Sequence, residues 1–167
     1  SMDQVQDVES LNIYKLATKL HLPKNYRWHM VQTKSRDNAR TPMQWNAGEH
    51  GGFTTGTPWL GVNANHTRIN VAAQKEDPHS IRSYYKRMIA LRAGSKLLKY
   101  GAFRLVTANK HLFIYDCEDG EKTYRMLLNF GPKPQRVACE GLVVISSYGR
   151  EAYDGVLQPW EGVVIDK

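Results

Sequence analysis

The chain has 167 residues, enough for one good hydrophobic core or for one small core with an appendage. Hydrophobic residues make up 41% of it, and four tryptophans and nine tyrosines exclude a disordered chain. The formal net charge is +7, but lysines and arginines are interleaved with acids instead of forming a basic block. This distribution argues against a nucleic-acid partner.

The sequence also carries little sign of targeting or metal binding. It has no apolar run of membrane-spanning length, and its first residues lack the pattern of a signal peptide. Two cysteines, Cys117 and Cys139, stand in predicted strands and outside any metal-ligand spacing. We therefore expect a cytoplasmic protein with no membrane partner, no metal and no cofactor.

The first predicted element is a helix from about Asp3 to Leu20, in which acids come early and lysines late, as the helix dipole favours. From His21 to His79 the apolar period disappears, and prolines and glycines recur. The pattern predicts a long irregular segment, and such segments are often functional.

A second helix is predicted after Ser80, which follows a cap-like Asp-Pro-His sequence. From Gly101 onward the hydrophobic period is two, and Asp119-Gly120 marks a hairpin turn. Further strands are predicted at Leu142 to Ile145 and at Trp160 to Ile165. The pattern indicates an antiparallel sandwich of about six to eight strands. Its core is predicted to include Tyr115, Tyr124 and Trp160.

The most informative segment is the run from Ser35 to Trp45, which combines charged, amide and aromatic side chains without helical or strand period. This composition suits a loop that faces a sugar. Arg36 and Asp37 are predicted to form a local ion pair, and Asn38 is predicted to close the turn.

That run, with the segments that follow it, closely resembles a known enzyme family. The further segments are Gly52 to Gly56, Pro58-Trp59, Val62-Asn63, Ile69 to Val71, Asp77-Pro78, Ser80-Ile81 and Tyr84-Tyr85. The resemblance is to bacterial α-glucosidases of glycoside hydrolase family thirteen, in the α-amylase superfamily. Within it, the similar group contains oligo-1,6-glucosidases, dextran glucosidases and trehalose-6-phosphate hydrolases.

The resemblance implies an α+β chain taken from the C-terminal part of such an enzyme. Residues 1–100 would be the remnant of an incomplete (β/α)8 catalytic barrel, with N-terminal helices, a substrate-side loop and the last barrel helix. Residues 101–167 would be the C-terminal antiparallel β-sandwich domain. The barrel-facing side of the last helix, including Tyr84, Tyr85, Met88 and Ile89, would be exposed, so self-association is expected.

The resemblance also implies site residues. The family's nucleophilic Asp, acid/base Glu and stabilising Asp lie on barrel strands that match no position here, so we predict no catalytic residue and no activity for the chain alone. Arg40, the second arginine of the Arg-Asp-Asn-Ala-Arg motif, is expected to hold the non-reducing glucose, since its guanidinium forms a rigid fork of donors. Trp45 either stacks on the sugar or fills a seam between domains.

The expected parent is a retaining α-glucosidase that cleaves α-1,6 or α-1,4 bonds at the non-reducing end of oligosaccharides. The alternatives are a trehalose-6-phosphate hydrolase, a sucrose isomerase and, in another class, a non-catalytic carbohydrate-binding or structural β domain. The last is disfavoured because no exposed row of aromatics is predicted. Asn46 in place of the family's Asp, and His50-Gly51-Gly52 in place of Asn-Ala-Gly, leave the outer-subsite specificity open.

Overall fold

The computed structural model describes residues 2–167. They divide into two compact units, the first ending at Glu76 and the second running from Asp77 to Lys167. The helices of the first unit are α1 (Val8–Lys19), α2 (Lys24–Lys34) and α3 (Val71–Glu76). Short 3-10 turns occupy Met2–Gln4, Arg36–Ala39, Glu49–Gly52 and Ala64–Thr67.

Helix α1 confirms the first predicted helix, although it begins later than Asp3. Asp7 is the N-cap residue, with extended backbone at φ −68° and ψ 111°. Its carboxylate does not cap the helix, because Ser10 and Arg36 occupy it instead. Ala17 is buried on one side of α1, whereas Leu16 is exposed.

Helices α2 and α3 lie inside the stretch predicted as irregular, so that prediction is wrong for Lys24–Lys34 and for Val71–Glu76. Helix α2 is polar and has Val31 as its buried residue, so its sequence shows no apolar period. It is held against α1 by Arg27, which donates a 2.5 Å hydrogen bond to Thr18 and lies over the ring of Tyr14 at 5.2 Å. Tertiary contacts thus outweigh the missing local signal.

The second unit begins with helices α4 (Ile81–Gly94) and α5 (Lys96–Tyr100). The helix predicted after Ser80 is confirmed, and the Ser80 hydroxyl accepts the N–H of Ser83 at 3.2 Å as its cap. Across residues 2–167, no helix combines the length and the apolar character needed to cross a membrane.

Antiparallel strands follow, as predicted. They are β1 (Ala102–Ala108), β2 (Leu112–Glu118), β3 (Thr123–Asn129), β4 (Gln135–Arg136), β5 (Leu142–Ser146), β6 (Val156–Leu157) and β7 (Gly162–Asp166). Five of them form one sheet in the order β1-β2-β3-β7-β5, and β4 pairs with β6. The predicted hairpin between β2 and β3 is confirmed, since Asp119 Oδ1 accepts two backbone N–H groups of the turn and Gly120 has φ +92°.

The core of the second unit lies on one face of the five-stranded sheet. Leu157 of β6 packs there with four sheet residues, Ile114, Leu127, Val163 and Ile165. The prediction that Trp160 belongs to this core is wrong, because the residue has φ +59° and its surface is 63% exposed. The tight turn before β7 directs Glu161 inward instead, where Arg150 contacts its carboxylate at 2.9 Å.

Candidate functional site

The turn that carries the motif is closed by its own backbone and side chains. Ser35 caps it, since its Oγ accepts the N–H of Asp37 at 3.3 Å. The N–H of Arg40 donates to the carbonyl of Asp37 at 3.0 Å, which ends the turn. Asn38 links the turn to α2, since its side chain donates to the carbonyl of Gln32 at 2.9 Å. The backbone position of Arg40 is therefore fixed by the hydrogen bonds of this turn.

The predicted local pair of Arg36 and Asp37 is wrong. The guanidinium of Arg36 reaches Asp7 Oδ1 instead, with Nε at 2.9 Å and Nη2 at 2.7 Å. Asp37 Oδ2 accepts two backbone N–H groups, from Gln6 at 2.8 Å and from Asp7 at 3.0 Å. Successive side chains on a 3-10 turn point in different directions, so neighbours in sequence do not meet. Because Asp7 lies 29 residues before Arg36 in the sequence, no local pattern predicted this ion pair.

Asp7 is the electrostatic centre of this contact. It is only 3% exposed, and the Ser10 hydroxyl donates to its Oδ2 at 2.8 Å. That hydrogen bond, together with the hydrogen bonds and charge of Arg36, holds the pKa of Asp7 well below its ordinary value. Asp7 is therefore a permanent anion near neutral pH, which suits a structural ion pair and not proton transfer.

Arg40, the predicted substrate ligand, is exposed. Within residues 2–167 its guanidinium has no ion pair or hydrogen bond, in contrast to Arg36 in the same motif. The exposed guanidinium of Arg40 therefore has its hydrogen-bond donors free for a bound molecule that carries several oxygens.

Trp45, the second predicted ligand, has a fixed backbone and a half-exposed side chain. Its N–H donates to the carbonyl of Gly51 at 2.7 Å, and its carbonyl accepts the N–H of Ala72 at 3.0 Å. Gly51 has φ +63°, and a Cβ there would lie 3.3 Å from Val62, so a side chain would strain this loop. The exposed fraction of Trp45 is 49%.

The two departures from the family pattern meet in the same loop. Asn46 Oδ1 accepts the N–H of Gly48 at 2.9 Å. Its amide nitrogen lies only 2.3 Å from where a Cβ on Gly52 would stand, so the second glycine gives Asn46 its space. Asn46 also donates its backbone N–H to the carbonyl of Gly51 at 3.0 Å, so the two changed positions are in contact, whereas Gly52 is the glycine that the family pattern shares.

A shallow groove lies beside the motif turn. It is lined by Gln4, Gln6, Asp37, Asn38, Thr41, Trp59, Leu60, Gly61 and Val62. Its rim holds Trp59, with 68% of its surface exposed. Amide side chains and an aromatic ring suit polar ligands with flat apolar faces. The groove contains Asp37, Asn38 and Thr41 of the run from Ser35 to Trp45 but neither Arg40 nor Trp45, so the described structure does not bring the two predicted ligands into it.

The second unit contains two buried carboxylates that sequence reasoning missed. Asp116 is paired with Arg125 and Arg104, and Glu161 is paired with Arg150. The hydrogen bonds from Arg125 are the main cause that lowers the pKa of Asp116. A sequence signal existed for Asp116, because it stands two residues after the inward-facing Ile114 in a strand of period two.

The comparison with protein families matches residues 7–101 to the alpha amylase catalytic domain. The chain belongs to this family. It is 39% identical over 147 residues to the oligo-1,6-glucosidase of Halalkalibacterium halodurans. The aligned region covers 87% of this chain and 26% of that relative. It is 32% identical over 171 residues to the glucan 1,6-alpha-glucosidase of Streptococcus pneumoniae, covering 99% of this chain and 32% of the relative.

Among solved structures, a variant of the trehalose-6-phosphate hydrolase of Bacillus licheniformis superposes with a TM-score of 0.92 at 28% identity. The match covers 99% of this chain and 32% of that protein. The chain therefore spans between a quarter and a third of the length of these three relatives.

Proposed function

We propose that this chain is the C-terminal part of a retaining α-glucosidase that cleaves α-1,6 or α-1,4 bonds at the non-reducing end of oligosaccharides. The observation that carries the proposal is the motif turn, which presents Arg40 without an internal partner inside the segment that matches the alpha amylase catalytic domain. The relatives named as oligo-1,6-glucosidase and glucan 1,6-alpha-glucosidase favour the α-1,6 linkage.

In this proposal the chain contributes binding and not bond cleavage. Retaining hydrolysis uses one carboxylate as nucleophile and a second, with a raised pKa, as acid/base. The buried carboxylates of residues 2–167 are Asp7, Asp116 and Glu161, and each is paired with an arginine. For Asp7 and Asp116 the pKa is lowered, opposite to what a general acid needs. We assign the catalytic carboxylates to other parts of the enzyme.

Arg40 holds the sugar at the innermost subsite. Its planar fork can donate to two neighbouring hydroxyls, or to one hydroxyl and a carboxylate, in a fixed geometry. Trp45 offers an aromatic face whose position is set by its backbone hydrogen bonds to Gly51 and Ala72. Stacking on a pyranose ring is the corresponding role.

The architecture in this proposal is the end of a (β/α)8 barrel over residues 1–100 and a β-sandwich over residues 101–167. The match to the catalytic domain ends at residue 101, which supports this division. Packing of Leu157 from the β4–β6 pair against one face of the large sheet supports a two-layer β domain. Free thiols at Cys117 and Cys139 support a cytoplasmic location, where thiols stay reduced.

We also propose that the chain by itself self-associates. The outward face of α4 carries Ile81, Tyr85 and Ile89, which are 71%, 64% and 65% exposed. Residues four apart lie on one side of a helix, so the three form a continuous apolar stripe. In water such a stripe favours association with a second apolar surface.

The second candidate is a trehalose-6-phosphate hydrolase, favoured by the structural likeness to that enzyme. The experiment that separates the candidates assays the full-length enzyme containing this chain on isomaltose, maltose, sucrose and trehalose 6-phosphate. We expect the highest kcat/KM on isomaltose. A preference for the phosphorylated sugar would establish the second candidate, rearrangement of sucrose a sucrose isomerase, and turnover of none would contradict the proposal.

A further inference from the structure

We propose that Asp37 is a positioning residue, which holds the motif turn against the segment before α1 so that Arg40 points at the sugar. This inference rests on the proposed function of Arg40. Asp37 does not touch the substrate in this role; it acts through the backbone from which Arg40 leaves.

The first support is a reciprocal pair of contacts between two distant segments. Asp37 Oδ2 accepts the backbone N–H groups of Gln6 at 2.8 Å and of Asp7 at 3.0 Å. In the other direction, Asp7 accepts the backbone N–H of Arg36 at 3.3 Å and its guanidinium at 2.7 Å. Hydrogen bonds to a carboxylate are stronger than those between neutral groups. Each segment therefore supplies an anion that binds the other.

The second support is the short path from Asp37 to Arg40. The carbonyl of Asp37 accepts the N–H of Arg40 at 3.0 Å, and the four residues Arg36–Ala39 form one 3-10 turn that ends directly before Arg40. Such a turn moves as a unit, so displacement of Asp37 displaces the start of the Arg40 side chain. A misplacement of about 1 Å can cost on the order of 100-fold in rate.

The third support is the unused oxygen of the same carboxylate. Asp37 Oδ1 is buried and has no hydrogen-bond partner among the described residues. Both oxygens of Asp7, by contrast, accept hydrogen bonds. A buried acceptor without a donor costs stability, so maximal stability does not account for a carboxylate at this position. Departures of this kind are expected where a side chain serves function.

The inference is tested by a double-mutant cycle in the full-length enzyme, with isomaltose as substrate. Arg40→Ala is expected to lower kcat/KM by about 10-fold to 100-fold, as for loss of charged hydrogen bonds. Asp37→Ala is expected to lower it by about 10-fold, and Asp37→Asn, which keeps an oxygen for Gln6 and Asp7, to recover most of that loss. The variant that combines Asp37→Ala with Arg40→Ala is expected to be no worse than Arg40→Ala alone.

The other outcomes contradict either the positioning role of Asp37 or the binding role of Arg40. If the losses from Asp37→Ala and Arg40→Ala multiply, or if Asp37→Ala keeps wild-type kinetics, the positioning role is wrong while the proposed function stands. If Arg40→Ala keeps wild-type kinetics, the binding role of Arg40 fails and the inference fails with it. Asp37→Ser replaces Asp37→Ala in the cycle if the latter does not fold. Glu49→Ala, at a side chain 90% exposed in the same unit, is the matched control and is expected to be unchanged.

Discussion

Asp116 and Arg125 are register partners on β2 and β3, and the guanidinium of Arg125 donates to both oxygens of the Asp116 carboxylate, at 2.7 and 2.9 Å. Arg104 of β1 donates to the same carboxylate. One fully buried anion thus links three neighbouring strands of the large sheet. Its hydrogen bonds are charge-assisted and bidentate, which fixes the register of these strands.

Removal of this anion is expected to destabilise the second unit strongly. In Asp116→Asn the guanidinium of Arg125 loses its counter-ion, while that of Arg104 keeps its contact with Glu118, and breaking a buried pair from one side costs about 3–5 kcal/mol. We expect the lower end of that range, since the side chain of Arg104 is 52% exposed and water can solvate it. Urea denaturation of the chain, followed by circular dichroism, measures the change.

The matched control for that variant is Glu118→Gln on the same strand. Its carboxylate also contacts Arg104, at 3.4 Å, but it is 35% exposed. Exposed pairs contribute about 0–1 kcal/mol, so the midpoint is expected to stay nearly unchanged. If both variants lost the same free energy of unfolding, the buried Asp116 ion pair would contribute no more than the exposed pair.

Acid is expected to act on the same carboxylate. Hydrogen bonds and charge from Arg125, followed by the charge of Arg104, hold the pKa of folded Asp116 below its ordinary 3.8. The unfolded chain therefore takes up this proton first as the pH falls, so the contribution to stability is complete above pH 3.8 and is lost as pH falls through the lower folded value. We expect a urea midpoint that declines below pH 3.8, with a smaller decline in Asp116→Asn.

Alkali is expected to act through Tyr153. Burial raises the pKa of this phenol from 10 to about 12, and its hydroxyl donates to the carbonyl of Val137 at 2.8 Å. Because the pKa of Tyr153 is higher in the folded chain, its contribution to the free energy of unfolding is complete below pH 10 and is lost as pH rises toward 12. Tyr153→Phe should be less stable at neutral pH but lose less between these limits. An unchanged alkaline slope in this variant would contradict the assignment to Tyr153.

The elements with a regular hydrophobic period could be predicted, and those held by tertiary contacts could not. The Ser80 cap predicted helix α4. The Asp119-Gly120 turn between two strands of period two predicted the β2–β3 hairpin. Helix α2 has Val31 as its buried residue and forms because Arg27 and its neighbours contact α1. No window along the sequence contains that information.

The site divides in the same way. The motif from Ser35 to Trp45 identified the family, because its length and composition are specific. The partner of Arg36 could not be predicted, since Asp7 and Asp37 are both acids within reach and only folding selects between them. Trp160 was misplaced because it was assigned to the last strand, whereas it stands before β7 in a turn, with a positive φ.

Trp45 is expected to contribute binding energy to the sugar. An aromatic ring stacked on a ligand contributes about 0.5–1.5 kcal/mol, so Trp45→Ala in the full-length enzyme should raise KM for isomaltose by about 2-fold to 13-fold. Trp59→Ala is the matched control, since Trp59 is also exposed and lies in the same unit. If Trp59→Ala raises KM while Trp45→Ala does not, the stacking role belongs to the groove beside the turn.

The isolated 167-residue chain is expected to associate through α4 as its concentration rises. Replacing Tyr85 and Ile89 together by serine removes most of the exposed apolar stripe and is expected to shift sedimentation toward monomer. Neither side chain is buried, so their loss should not unfold the unit. Lys86→Ser on the same helix is the control and should leave association unchanged, because Lys86 lies outside the stripe. If the unaltered chain sediments as a monomer at every concentration, the exposed stripe does not drive association.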